Sequence, residues 1–510
     1  MAMPRDKQAS PATIQLPKAL TGIKGLDEVT EGGLPRGRAS LVCGGAGAGK
    51  TLLAMQFLVN GAVQFDEPGV FMAFEEDAQE LAQNVTSLGF DLHALVGQDK
   101  LKLAYVQVDR SEIEETGAYD LEALFIRLGY AIDSIGAKRV VLDTIEVLFG
   151  ALSNQALVRA ELRRLFRWLK DKGVTSIITA ERGQGALTRF GLEEYVADCV
   201  LLLDHRVIEQ ISTRRLRVVK YRGSTHGTNE YPFLIGRDGI SVLPITSLGL
   251  DPPVLTRRIS TGLPDLDGML DGQGYYMGSS VLLSGTAGTG KTSLAATFAD
   301  AACRRGERCL YFAFEESTAQ IIRNMRSIGL DLEPHVTSGR LQYHVGRPTL
   351  FGLETHLVTM YNAITALKPD VVIVDPVTDF TSIGTQSEVK STLIRLIDFL
   401  KANNITALFT SLTDNARDPE RSAADISSLI DTWILVRNLE QGGEHMRGVY
   451  VLKSRGMGHS SQVHNFQLTN TGIHIGPAMA ALPEFAERLP SSKGKTAKKS
   501  ARPHASKRVH

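Results

Sequence analysis

Cysteine is scarce in this 510-residue chain, and the four present, Cys43, Cys199, Cys303 and Cys309, form no CxxC pair. That spacing argues against a disulfide framework, and their mostly apolar surroundings read as a reduced core. Long apolar runs are missing as well. No stretch of about 18 apolar residues occurs, as a membrane-spanning helix would require, and the opening MAMPRDKQASPATIQL lacks the apolar segment of a secretory signal. A cytoplasmic protein with no membrane partner is the expectation. Net charge is absent too, with 56 Lys and Arg against 56 Asp and Glu. Seven of the basic residues and none of the acidic ones fall in the last 20 positions, so the first 490 hold 49 basic against 56 acidic. A mildly acidic body offers no basic stripe for nucleic-acid phosphates, so nucleic acid is not expected as a partner; only the tail has the charge for it.

Glycine, by contrast, is plentiful at 48 residues, and it concentrates where chemistry is expected. GGAGAGKT, Gly44 to Thr51, recurs as GTAGTGKT, Gly285 to Thr292. Both match the phosphate-binding pattern GxxxxGK followed by Ser or Thr. Glycines let successive backbone N–H groups turn toward phosphate oxygens, the lysine neutralises the outer phosphates, and the hydroxyl ligates magnesium. Each loop follows an apolar run and precedes a helical pattern, as the mechanism requires. Two bound ATP molecules with Mg2+ are therefore expected. The predicted contacts are Gly45, Ala46, Gly47, Ala48, Gly49, Lys50, Thr51 and Leu52 in the first loop. In the second they are Thr286, Ala287, Gly288, Thr289, Gly290, Lys291, Thr292 and Ser293.

The repetition extends beyond the loops. Thr21-Gly22 and Asp27 match Thr261-Gly262 and Asp267, FEE occurs at Glu75/Glu76 and Glu315/Glu316, and VKYRG matches LKSRG. A duplicated domain with one shortened connection accounts for this. The expected organisation is a loose segment 1–17, a first domain 18–247, a second domain 248–485 and a basic tail 486–510. PITSLGLDPPVLTR, Pro244 to Arg257, has the composition of a linker. Apolar runs alternate with amphipathic stretches such as Glu161 to Asp171 and Thr392 to Lys401. That is the α/β pattern of a mostly parallel sheet with helices on both faces, in two tandem RecA-like P-loop domains.

Strands ending in aspartate, VVLD at Asp143 and VIVD at Asp375, are the expected magnesium elements beside Thr51 and Thr292. Thr144 and Pro376 follow them, not glutamate, so the proton-accepting carboxylate is sought in FEE. Glu75, Glu76, Glu315 and Glu316 are the candidate catalytic bases. Strand alternation is expected to turn one carboxylate of each pair to the nucleotide and the other away; a solvated helix start would also suit adjacent glutamates. The same alternation puts Lys220 with Arg222, and Lys453 with Arg455, on one strand face. These cations are expected to reach a neighbouring subunit's ATP, although a basic sheet edge is the plainer alternative.

With these residues in view, the chain resembles the KaiC family of circadian-clock ATPases and autokinases from about Leu20 to Ile475. The resemblance is carried by QFLVNGAVQFDEPGVFMAFEE, by YRGSTHGTNEYPF and by FAFEESTAQIIRNMRSIGLD. It implies a double-ring homohexamer whose first ring hydrolyses ATP and whose second also phosphorylates itself, with clock-type or signalling proteins as partners. It further implies that His226 and His459 join the ATP contacts of Lys220, Arg222, Lys453 and Arg455. In AADISSLIDT the family's acceptor hydroxyls fall on Ser427 and Ser428, with a further hydroxyl position at Ser422; Glu315 would be the base and Glu316 its assistant. A Ser-Ser pair stands where the cyanobacterial clock protein has Ser-Thr, and the sequence beyond Ile475 is unrelated to the family's. Two other classes fit the loops: a nucleotide-gated scaffold and a RecA-like DNA repair ATPase.

Overall fold

The computed structural model describes residues 16–106, 121–149, 155–183, 187–189, 191, 196–208, 211–244, 255–413, 428–441 and 444–479. The expected loose ends except Leu16 and Pro17, the interior of the linker, Ser422 and Ser427 lie outside these residues.

Two nine-stranded sheets organise the chain. A short pair, β1 (Lys18–Ala19) with β2 (Leu34–Pro35), precedes the first sheet. That sheet comprises β3 (Ala39–Gly44), β4 (Gly69–Ala73), β5 (Leu101–Tyr105), β6 (Arg139–Asp143), β7 (Thr175–Glu181), β8 (Cys199–Ile208), β9 (Ile211–Tyr221), β10 (Glu230–Gly236) and β11 (Gly239–Val242). Its spatial order is β11-β10-β9-β8-β3-β7-β6-β4-β5. Pairings from β8 to β5 are parallel, and the last three strands fold back antiparallel.

The second half repeats this plan. After a small pair, β12 (Arg258–Ile259) with β13 (Tyr275–Tyr276), come β14 (Ser280–Gly285), β15 (Cys309–Ala313), β16 (Leu341–Val345), β17 (Val371–Asp375), β18 (Thr406–Leu412), β19 (Thr432–Gln441), β20 (Glu444–Ser454), β21 (His464–Thr469) and β22 (Gly472–Ala478). The order is β16-β15-β17-β18-β14-β19-β20-β21-β22. The predicted α/β architecture is what the chain adopts.

The central strands are buried on both faces, which is why ASLVCG and SVLLSG read as unbroken small and apolar runs and not as alternation. Helix Lys50–Gln64 covers one face of the first sheet, and helices Glu122–Ile135 and Gln155–Asp171 cover the other. In the last of these, Val158, Leu162, Leu165, Phe166 and Leu169 recur at helical spacing toward the sheet while the arginines face outward. Helix Lys291–Arg304 and the pair Leu353–Leu367 and Gln386–Ala402 repeat the arrangement around the second sheet. All four cysteines are buried and free.

The landmark aspartates of the repeat have structural work. Asp27 accepts from the backbone N–H groups of Thr21 and Gly22, and Asp267 from that of Thr261, closing the turn that leads into each domain. The halves also touch. Leu243 lies in the core of the second sheet, Arg215 pairs with Glu354, and Ser241 Oγ is 3.1 Å from Asn362 Oδ1.

One buried charge distinguishes the first half. Arg139, fully buried at the start of β6, pairs with Glu67 at 2.6 Å, donates to the carbonyls of Phe57 and Leu20, and lies over the Phe57 ring. Arg139→Ala would leave Glu67 to Arg36 alone, 2.8 Å away, and the two carbonyls without their donor, at a cost of about 1–3 kcal/mol for each stranded group. Chemical denaturation followed by Trp168 fluorescence, in a Trp433→Phe background, should show a clearly lowered midpoint.

Candidate active sites

Each phosphate loop joins the carboxyl end of a central strand to the amino end of a helix. β3 ends at Gly44 and the helix begins at Lys50; β14 ends at Gly285 and the next helix begins at Lys291. Gly49 and Gly290 take φ near 100° and 102°, a left-handed conformation that a side chain would strain. A Cβ there would also approach Ile235 or Phe466. Above the loops there is room: a Cβ at Gly45, Gly47 or Gly288 would meet nothing within 4 Å. Lys50 Nζ bonds the carbonyls of Gly44 and Gly45 at 3.0 and 3.1 Å, and Lys291 Nζ those of Gly285 and Thr286 at 2.9 and 2.8 Å. Both ammonium groups are therefore held at the loop mouth. An open cradle, a fixed cation and a hydroxyl at the helix start suit a nucleotide's phosphates with magnesium. Ala46 and Ala48, like Ala287 and Thr289, complete the loops, and Thr51, Leu52, Thr292 and Ser293 open the helices.

Parallel register brings the remaining groups to the same edge. Ala73 pairs with Asp143, and Gly44 with Glu181; Ala313 pairs with Asp375. The neighbouring strand clamps each aspartate. Thr179 Oγ1 donates to Asp143 Oδ1, and Thr410 Oγ1 to Asp375 Oδ1. Burial pushes the Asp143 carboxyl above its usual range, with Thr179, Thr51 and Lys50 pulling it back. In the second domain Tyr311 Oη adds a hydrogen bond to Asp375 Oδ2 at 2.6 Å. Burial and the adjacent Asp375 push its phenol well above the ordinary value, so it remains a donor.

The glutamates do not sit on strands. β4 ends at Ala73 and β15 at Ala313, so FEE occupies the bend that follows, and the alternation expected from the sequence does not apply. The bend is fixed by the next helix, whose capping boxes pair Asp77 with Glu80 and Ser317 with Gln320. The two carboxylates still diverge. Glu76 accepts from Asn84 Nδ2 at 3.3 Å and Glu316 from Asn324 Nδ2 at 3.2 Å, tying both to the helix. Glu75 is coupled electrostatically to Asp143 and Lys50, and Glu315 to Asp375 and Lys291. Burial raises the pKa of Glu75, as do Asp143, Glu181 and Glu76, against Lys50; burial raises that of Glu315, as do Asp379 and Asp375, against Lys291.

The paired cations stand elsewhere. Lys220 pairs with Val200, and Val200 with Leu41, so it lies toward the start of β3, several strand steps of about 3.3 Å from the loop. Its Nζ bonds the Ala197 carbonyl at 2.8 Å; Arg222, just past β9, is 3.7 Å from Asp198. Lys453 pairs with Trp433, and Arg455 Nη2 donates to the Ser428 carbonyl at 2.6 Å. Burial and the nearby Arg455 lower the Lys453 pKa. His226 and His459 follow in irregular backbone beyond the succeeding turns. Ser428 is exposed, just before β19, whose Thr432 pairs with Val281 near the start of β14. Cations and serine thus occupy the sheet edge opposite their own phosphate loop.

Glu181, Asp379 and the clamping threonines were not singled out from the sequence. Overlaying the halves would have exposed Thr179 and Thr410; nothing in local pattern marks Asp379.

The family model described as ATPase: KaiC matches residues 19–247 and again 259–480. The chain belongs to the KaiC family. Among its relatives, the circadian clock protein KaiC2 of Synechocystis sp. is 56% identical over 465 residues, covering 91% of this chain and 82% of the relative. The circadian clock oscillator protein KaiC of Parathermosynechococcus lividus is 38% identical over 463 residues, 90% of this chain and 85% of that protein. The KaiC3 protein of Synechocystis sp. is also 38% identical, over 90% of this chain and 92% of its own length. Family membership makes this chain a KaiC-type ATPase that binds ATP. No described helix is long and apolar enough to cross a membrane.

A carboxylate that accepts a proton must be ionised, so raising its pKa moves the acid limb of turnover upward. In a Glu75→Gln background, the limb of ATP hydrolysis should lie above the ordinary glutamate range of about 4.3. Asp379→Asn, which removes a negative neighbour, should move it to lower pH; pH–rate profiles of the two variants check both statements.

Proposed function

We propose that this KaiC-family chain is an ATP hydrolase and serine autokinase. It works in the cytoplasm as a double-ring homohexamer assembled with ATP and Mg2+, and clock-type or signalling proteins read its phosphorylation state. Residues 18–247 would form the hydrolytic ring, 248–485 the ring that also phosphorylates itself, with 1–17 and 486–510 outside both. The observation that carries the reading is the separation within one chain. Lys220 with Arg222, and Lys453 with Arg455, lie on the sheet edge away from their own loops, and so does Ser428. These groups meet a loop when the next subunit supplies it, which makes both hydrolysis and phosphoryl transfer depend on assembly.

Magnesium supplies charge neutralisation on the phosphates when bound. Thr51 and Asp143, or Thr292 and Asp375, would hold it, while Lys50 or Lys291 turns from its loop carbonyls to the outer phosphates. Glu75 in the first domain orients and deprotonates water. In the second, Glu315 takes the proton of a serine hydroxyl, the serine oxygen bonds to the γ-phosphorus, and the bond to the β–γ bridging oxygen breaks to release ADP. Glu76 and Glu316, tied to asparagines, brace the bend as assistants. Phosphate on Ser427 or Ser428 adds about two negative charges near Asp431, whose carboxylate Lys401 holds ionised at 2.7 Å. Repulsion there gives the boundary a phosphorylation-dependent strength.

Incubation with Mg-ATP followed by phosphopeptide mass spectrometry should find phosphate on Ser427 or Ser428. Replacing both by alanine should abolish incorporation while the first domain continues to hydrolyse ATP. Phosphate retained at other sites would refute the acceptor assignment. Lys220→Ala with Arg222→Ala should lower first-domain turnover by about tenfold or more while leaving isolated subunits able to bind nucleotide.

A further inference from the structure

The two halves repeat each other closely around the phosphate loops, yet they differ at a buried position directly behind the clamped aspartate. Phe71 on β4 and Tyr311 on β15 share one register: Phe71 pairs with Val141, two residues before Asp143, and Tyr311 with Ile373, two before Asp375. Both rings are fully buried. Their outer neighbours differ in the same sense, with Leu103 beside Phe71 and Tyr343 beside Tyr311. The two tyrosine rings lie 5.1 Å apart. Tyr343 Oη is buried with no hydrogen-bond partner among the described residues, so the pair acts on the site through Tyr311 alone. Tyr311 Oη donates to Asp375 Oδ2, and Thr410 already occupies Oδ1. In the first domain the threonine clamp is present and the phenol is not.

We propose that Tyr311 is a positioning residue that loosens the second site's hold on magnesium relative to the first, by occupying a lone pair of Asp375 otherwise open to metal-bound water. The inference deepens the nucleotide-site reading and rests on it. A second donor on a carboxylate has two opposing effects: it fixes the group's orientation and it withdraws charge from it. Orientation is already supplied by Thr410, as Thr179 supplies it to Asp143, so withdrawal is what Tyr311 adds. An ionised carboxylate offers about four acceptor positions, and hydrogen bonds to it are stronger than neutral ones. Buried and packed against Tyr343, the phenol has no solvent to turn toward. Phe71 shows that a phenyl ring is tolerated at this register, which makes Tyr311→Phe a mild substitution.

The test uses the full-length chain with Lys50→Ala, so that a fluorescent N-methylanthraniloyl-ADP reports on the second loop. Magnesium is titrated in, and binding is read with no turnover involved. Tyr311→Phe should lower the half-saturating magnesium concentration by about three- to tenfold, the range expected for one hydrogen bond, and leave affinity in EDTA unchanged. The reciprocal Phe71→Tyr, in a Lys291→Ala background, should raise the magnesium requirement of the first loop. An unchanged magnesium requirement in Tyr311→Phe overturns the proposal, and so does an increase, which would make orientation the dominant effect. Absence of nucleotide binding with either residue at 311 would instead refute the second-loop assignment itself, and the proposal with it.

Discussion

Parallel pairing in register is the constraint on which both sites depend. Because β3, β7, β6 and β4 run the same way, Ala73 and Asp143 arrive level with Thr179, and Gly44 and Glu181 lie two residues further along the same edge, without any long side chain having to reach. The Thr179–Asp143 and Thr410–Asp375 bonds then lock the carboxylates across neighbouring strands. A one-residue slip of β7 would turn Thr179 to the opposite face and release the aspartate. Close packing of differently shaped side chains on both faces opposes such a slip, so the same packing that stabilises the core also aims the site.

The antiparallel extension answers a different need. β8 and β9, like β19 and β20, carry cations back toward the starting edge of the sheet, where Lys220 and Arg222 are tied to Ala197 and Asp198. Each domain therefore presents a phosphate loop at one edge and paired charges at the other. The proposed assembly would use that separation, one subunit's charges meeting the next subunit's loop head to tail.

The sequence made the sheets, loops, aspartates and glutamates legible because each rests on a local signal that occurs twice. Glycine spacing, unbroken apolar runs and terminal aspartates survive without knowledge of tertiary structure. FEE reads as strand in sequence because VFMAFEE and LYFAFEE offer no breaker before the glutamates, but it forms a bend, and the caps at Asp77 and Ser317 decide the matter from the far side. Asp379 was invisible for another reason. It enters the second site from a 3-10 turn, Val377–Ser382, and only the fold brings it beside Glu315. Tyr311 reads as an ordinary core aromatic until the register reveals what its hydroxyl meets.

Leu243 belongs in sequence to the first domain but is buried among residues of the second. Helix Leu353–Leu367 of the second domain in turn packs against β10, and Arg215 and Glu354 close the seam. The halves are thus buttoned together by more than the peptide that joins them. A protease that severs the chain between residues 245 and 254 would yield two fragments on a denaturing gel and one particle in solution.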